Sequence, residues 1–110
     1  MNVRLNVKKK GNAYEQKLAR ELREHGWIDC QTSRYQSKRT DDSGIDFVGT
    51  GLFAIQAKAT ERTPGYGDLL QGIKTIEPNK IALLFHRRNH KAETVTMLKV
   101  DAYKLMKLWS

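Results

Sequence analysis

Along residues 12–25 apolar side chains recur every four positions, at Tyr14, Leu18 and Leu22, with Ala19 widening the stripe, and Gly26 stands where a C-terminal cap belongs. The spacing predicts a first amphipathic helix. Residues 27–35 mix β-forming with polar residues and predict a short strand, and the polar, glycine-containing stretch 36–44 predicts a loop. Apolar-rich runs at 45–48 and 52–59 are separated by Gly49-Thr50-Gly51, for which a tight antiparallel hairpin in the middle of the sheet is the simplest arrangement. A loop with Gly and Pro, 61–67, leads into a second helix whose Leu69, Leu70, Ile73 and Ile76 share one face, and Pro78 ends it. Residues 81–85 read as a continuous apolar strand and 94–98 as a further strand. Residues 100–109 read as a C-terminal helix with Tyr103, Met106 and Trp109 partly on one side. The predicted order is αβββαβ followed by a short βα tail, an α/β fold without repeats or linkers.

A chain of 110 residues has room for one domain with one modest core. Residues 1–10 carry Arg4, Lys8, Lys9 and Lys10 with almost no apolar periodicity, and are expected to form a mobile basic arm ahead of a single domain at 11–110. The arm could add phosphate contacts or be a plain solvated tail. The 20 Lys and Arg against 12 Asp and Glu give a formal charge of +8, and a field of that sign makes nucleic acid the first candidate partner. Cys30 is the only cysteine, so no internal disulfide and no thiolate zinc site can form. No apolar run approaches the roughly 18 to 20 residues that span a bilayer, and no signal-peptide segment follows the basic N-terminus. An intracellular, DNA-associated protein without membrane contact is the expectation.

The candidate chemistry lies in the two central runs. Strand alternation points Phe53, Ile55, Ala57 and Ala59 one way and Ala54, Gln56 and Lys58 the other, so Gln56 and Lys58 are neighbours on one surface. Asp46 is a lone carboxylate between Ile45 and Phe47 in a segment apolar enough to be buried. Binding of a hard divalent cation gives it a reason: hydrolysis of a phosphodiester needs a cation on the non-bridging oxygens, and such an ion prefers oxygen ligands. Asp46, the Gln56 side-chain oxygen and the Ala57 backbone carbonyl can supply three. Lys58 can then orient the attacking water or stabilise the pentacovalent transition state. Magnesium, with manganese able to substitute, suits so sparse a site because it keeps several waters. Glu15 borders the apolar face of the first helix and can reach toward the sheet as a further ligand. Equally, Asn12 at the N-cap would place Glu15 at N3 of a capping box that needs no metal.

Three stretches together resemble the PD-(D/E)XK nucleases of restriction-endonuclease-like fold, and especially the small Holliday-junction resolvases of archaea and some phages. They are Gly11-Asn12-Ala13-Tyr14-Glu15, Ser43-Gly44-Ile45-Asp46-Phe47-Val48 and Ile55-Gln56-Ala57-Lys58-Ala59-Thr60. The resemblance spans roughly residues 8 to 85. It implies an αβββαβ core with a mixed central sheet flanked by helices, magnesium-dependent cutting of DNA, and catalytic or metal-binding roles for Glu15, Asp46, Gln56 and Lys58. It also fits a prokaryotic, archaeal or phage source. The departure is Gln56, where the family usually has Glu: it still offers an oxygen but removes one negative charge.

Arg34, Lys38 and Arg39 sit on the loop entering the Asp46 strand, where a scissile phosphate would arrive. Ser33, Ser37 and Ser43 share that region. The resemblance implies a functional serine there, and Ser33 beside Arg34 is preferred. Gln71, outward on the second helix, could touch phosphate or be simply exposed. The basic run 86–91 could be a second DNA contact or a histidine metal site, but its position at the end of a strand, without paired carboxylates, favours a plain basic turn. The function expected is cleavage of branched or structured DNA by a homodimer, since two symmetric cuts need two sites, with no nucleotide cofactor. Tyr66, Met97, Tyr103, Met106 and Trp109 are apolar surface that such a dimer could use. The alternatives are a sequence-specific restriction or homing-type nuclease, for which the chain offers few added loops, and a non-catalytic binding module in which Gln56 marks a decayed site.

Overall fold

Two helices sandwich the sheet because its strands carry apolar residues on both faces. The computed structural model describes the backbone of residues 3–33 and 44–110, and side chains from residue 11 onward within them. The elements run in the order α1 (Val3–Glu24), β1 (Gln31–Thr32), β2 (Phe47–Val48), β3 (Phe53–Ala59), α2 (Tyr66–Ile76), β4 (Ile81–Arg87), β5 (Thr94–Thr96) and α3 (Lys99–Leu108). This follows the order read from the hydrophobic pattern. β3 and β4 pair in parallel, joined by the crossover helix α2, and β5 adds antiparallel to β4, giving a mixed three-stranded sheet. β1 and β2 form a separate two-stranded antiparallel ladder.

On one face Tyr14, Leu18, Ala19 and Leu22 of α1 pack with Cys30, Phe47, Ile55 and Ala59. On the other, Leu70 and Ile73 of α2 pack with Ile45, Ala54, Ala82 and Leu84. The stripe at every fourth residue of α1 is thus its buried face. α1 ends at a Schellman motif: the Gly26 N–H donates to the Arg23 carbonyl and the Trp27 N–H to the Leu22 carbonyl, with Gly26 at φ 115°.

Three expectations change. The first helix starts at Val3, so residues 3–10 are helical and continuous with α1 rather than an arm ahead of it. Lys and Arg are good helix formers, and a segment without apolar periodicity can still extend a helix whose nucleus already exists. With Asn12 inside the helix, the capping-box reading of Glu15 falls. Finally, the 45–48 and 52–59 runs do not pair as a regular hairpin, since β2 is laddered to β1 and not to β3.

The physical reason for the last change lies in side-chain placement. Ile45 belongs to the core on the α2 side and Phe47 to the core on the α1 side, so the chain cannot keep a two-residue alternation through Asp46. Among the described residues one backbone bond ties this segment to β3, from the Asp46 N–H to the Ile55 carbonyl at 2.8 Å, with the turn closed by Phe53 N–H to the Thr50 carbonyl. Thr50 Oγ1 also donates to the Phe53 carbonyl at 2.6 Å.

Gly49 is held where only glycine fits: its φ is 77°, and a Cβ there would lie 2.4 Å from the Asp29 carbonyl oxygen. Gly49→Ala should therefore lower the free energy of unfolding by about 2–4 kcal/mol, combining a left-handed backbone strain with a backbone clash. Urea unfolding followed by circular dichroism measures this. A loss below about 0.5 kcal/mol would show that the turn can move away from Asp29 at little cost.

Candidate active site

Strand geometry decides what surrounds Ala57. The N–H and C=O of one strand residue point to the same side, and successive residues alternate. The Phe53 N–H and the Ile55 carbonyl bond toward the 46–50 segment, and the Leu52 carbonyl bonds toward β4 through the Ile81 N–H. Ala57 is in phase with Phe53 and Ile55, so both its backbone polar groups face the Asp46 side. Its N–H donates to Asp46 Oδ2 at 2.8 Å. The Asp46 carboxylate thus takes the place of the next rung of a ladder, at the point where the chain leaves β3. The Ala57 carbonyl projects toward the same edge.

Gln56 and Lys58 lie on the α2 side of β3, opposite Leu84 and His86 of β4 respectively. Gln56 is buried at 8 % exposure, and the Gly44 backbone passes directly over it, since a Cβ on Gly44 would lie 3.3 Å from Gln56 Nε2. Lys58 is half-buried. It lines a cavity of about 590 Å³ closed by Thr60, Arg62 and Pro64 of the following loop and by Asp68 and Leu69 of α2. The hairpin-face expectation for Gln56 and Lys58 is met by the register of β3.

His86 sits beside Lys58 and was not predicted from the sequence. It is 3 % exposed. Its Nε2 lies 2.8 Å from the Thr60 carbonyl, which can only accept, so Nε2 carries a proton. In the neutral ring Nδ1 then accepts the Tyr66 hydroxyl proton at 3.1 Å. One side chain thereby ties the loop after Lys58 and the first residue of α2 to β4. Arg88 adds a second tie through Thr63 Oγ1, and the Asn89 N–H donates to Glu61 Oε1 at 2.9 Å. The signal was present in the alternation Ala82, Leu84, His86, which places His86 on the inner face. It was hidden by reading residues 86–91 as one basic turn.

Glu15 reaches the site from the other side. It is 8 % exposed and belongs to the face of α1 that covers Ile55 and Ala59, not to the surface of Gln56 and Lys58. The connection between α1 and β1 is a helix–turn–strand hairpin pinned at its turn by Arg23 Nη1 donating to the Cys30 carbonyl at 2.9 Å. From that turn the helix runs back about 12 Å from Arg23 to Glu15, and the chain runs forward through β1 to Ser33. The Ser33 N–H donates to the Asp46 carbonyl at 2.8 Å. Ser33 and Asp46 are therefore neighbours at the end of β1. Among the described residues the fully buried Ser33 hydroxyl has no hydrogen-bond partner.

The remaining predicted contacts divide. Gln71 is exposed on α2, and its carbonyl accepts the Thr75 hydroxyl. Lys8, Lys9 and Lys10 lie in the first part of α1, with side chains outside the described residues, as are Arg34, Lys38 and Arg39 altogether. Among the described residues no group of three or more His, Cys, Asp or Glu side chains comes together. Beside the Asp46 carboxylate stands the edge of β3, with the Ala57 carbonyl turned to the same side. A carboxylate and a carbonyl are oxygen donors of the kind a hard divalent cation takes while keeping waters of its own.

Elsewhere the titratable groups are structural. Burial, reinforced by the nearby Glu93 carboxylate, pushes the Tyr14 phenol above its ordinary range. A hydrogen bond from Lys17 at 3.0 Å holds the Glu93 carboxyl below the usual carboxylate value. Burial raises the Cys30 thiol, against the opposing charge of Arg23. Comparison with protein-family models, with curated proteins and with solved structures finds no match to the chain.

His86→Leu should destabilise the fold by about 1–3 kcal/mol, because the Thr60 carbonyl and Tyr66 hydroxyl lose their partner. Tyr66→Phe, which removes only the hydroxyl, should cost about 0.5–1.5 kcal/mol. Urea unfolding of both variants measures the difference, and a neutral His86→Leu would mean that water replaces both bonds.

Proposed function

We propose that the chain is a metal-dependent endodeoxyribonuclease that hydrolyses phosphodiester bonds in branched or structured DNA, on a restriction-endonuclease-like core. The observation that carries this reading is the Asp46 carboxylate bonded to the Ala57 N–H at 2.8 Å. It joins two motifs separated in sequence, and strand alternation puts Gln56 and Lys58, the residues before and after Ala57, on one face beside the joint. The three-layer arrangement, with one helix on each face of a mixed sheet, supports the same core.

Asp46, the Ala57 carbonyl and the Gln56 amide would hold a magnesium ion, with Glu15 entering from α1. When bound, the ion neutralises the non-bridging oxygens of the scissile phosphate and lowers the pKa of a coordinated water. The half-buried Lys58 presents its ammonium from the α2 face, where it orients the water and meets charge developing on phosphorus-bound oxygen. The His86 network keeps the loop after Lys58 in place, which fixes the wall of the cavity beside that ammonium. Tyr103, Met106 and Trp109 are exposed on and just after α3, apolar surface that supports pairing of two copies for two cuts. Tyr66 and Met97, expected to share that surface, are partly buried.

A second reading is a non-catalytic DNA-binding module. It is favoured by the neutral amide at Gln56, where catalysis would profit from a carboxylate. One assay separates the two: incubation with four-way, flap and linear duplex DNA, with and without magnesium or manganese.

Asp46→Asn should reduce cleavage at least about 100-fold while leaving the fold intact, because the amide oxygen can still accept the Ala57 N–H. Lys58→Ala should reduce it comparably without loss of metal binding. Gln56→Glu should lower the magnesium concentration needed for half-maximal cutting. Wild-type protein that binds these DNAs but cuts none of them would reject the nuclease and leave the binding module.

A further inference from the structure

A second polar surface leads away from Asp46 on the opposite side from Lys58. It is a groove of about 400 Å³ between α1 and β1, lined by Gln16, Ala19 and Arg23 of the helix and Gln31 and Thr32 of the strand. Among the described residues no carboxylate lines it, and the cleft between Leu22, Trp27, Phe53 and Phe85 is apolar by contrast. Thr32 is 2 % exposed, and among the described residues its hydroxyl has no hydrogen-bond partner. A buried hydroxyl without a partner is costly, and the cost is relieved by a ligand with acceptor oxygens.

Arg23 adds the charge. Its guanidinium is anchored by the bond from Nη1 to the Cys30 carbonyl, which fixes the plane of the fork while the remaining N–H donors are free to serve a second acceptor. An arginine held in this way loses little freedom when it binds a phosphate. The groove runs from Gln16 to Arg23, about 10 Å along the helix, and its strand residue Thr32 is followed by Ser33, whose N–H donates to the Asp46 carbonyl.

We infer that the groove between α1 and β1 is a phosphodiester-binding track that receives the DNA strand leading away from Asp46. This rests on the nuclease reading for the kind of ligand and for the end of the groove at which the strand is cut. Arg23 meets a backbone phosphate further along the same strand than the one at Asp46. Gln16 and Thr32 meet the sugar-phosphate between them. The contacts are to backbone alone and so read no base sequence.

The test is binding of fluorescent duplex and four-way-junction DNA, followed by anisotropy from 50 to 300 mM salt in EDTA, so that no cleavage step enters. Arg23→Gln is expected to weaken binding about 5- to 10-fold at the low-salt end and to reduce the slope of log affinity against log salt by about 0.9, one phosphate contact. Gln16→Glu puts a carboxylate in the groove without touching the Arg23–Cys30 bond, so its loss of affinity cannot come from a disturbed turn. Lys107→Gln, at the end of α3, removes the same charge as Arg23→Gln but should leave the slope nearly unchanged.

Wild-type affinity and slope in both groove variants would overturn the track while leaving the nuclease reading standing. Failure of the wild type to bind DNA would overturn both. Inorganic phosphate alone, titrated against the Gln31 and Thr32 amide resonances, distinguishes a small-anion site. Shifts there, combined with unaltered DNA binding by the variants, would also overturn the track.

Discussion

The hydrogen bond from the Ala57 N–H to the Asp46 carboxylate is the interaction on which the rest of the arrangement turns. β3 offers a backbone donor on an edge where the neighbouring chain has already left to pair with β1. An unsatisfied N–H at that depth would be costly, and a side chain supplies the acceptor that the backbone cannot. The substitution is possible because Ile45 and Phe47 are drawn into different cores, which turns the Asp46 side chain into the plane of the sheet. A carboxylate used in this way is fixed in position before any ligand arrives. The same bond therefore closes the sheet and aims an anionic oxygen along its edge.

The two helices give that edge its two sides. α1 buries one face of β3, whereas α2 buries the other and leaves room for Lys58 beyond Gln56. The two faces thus differ in chemistry: the buried Glu15 carboxylate lies on the α1 side, the Gln56 amide and Lys58 ammonium on the α2 side. His86 matters here as a brace, since it fixes the α2 side through the Thr60 carbonyl and the Tyr66 hydroxyl.

Much of this was legible in the sequence because it rests on periodicity. The fourfold stripe from Tyr14 to Leu22 and Gly26 after it marked the helix and its end, and the alternation from Phe53 to Ala59 fixed which side Gln56 and Lys58 take. What escaped depends on tertiary context. The start of α1 carries no apolar repeat, so pattern alone could not extend the helix to Val3, although its lysines favour it. The pairing of β2 with β1 rather than β3 is a choice between two edges, which local sequence does not encode. His86 stood beside Arg87 and Arg88 and took on their character, while its burial is set by Tyr66 and Thr60, 20 and 26 residues away.

Under the proposed reading, the neutral Gln56 bears on the balance between holding DNA and cutting it. Each carboxylate at a phosphodiester site strengthens the grip on a cation but repels the phosphate until that cation is present. With Gln in place of Glu, one such charge is gone, and the chain as a whole carries +8. Under the proposed reading, DNA can therefore dock before the metal does, guided by a positive field that falls off within about 10 Å at ordinary salt. The phosphate oxygens would then complete the sparse cation site that Asp46, Ala57 and Gln56 would offer. Metal affinity and DNA affinity become coupled, each raising the other, which is the thermodynamic form of a site that assembles only on its substrate.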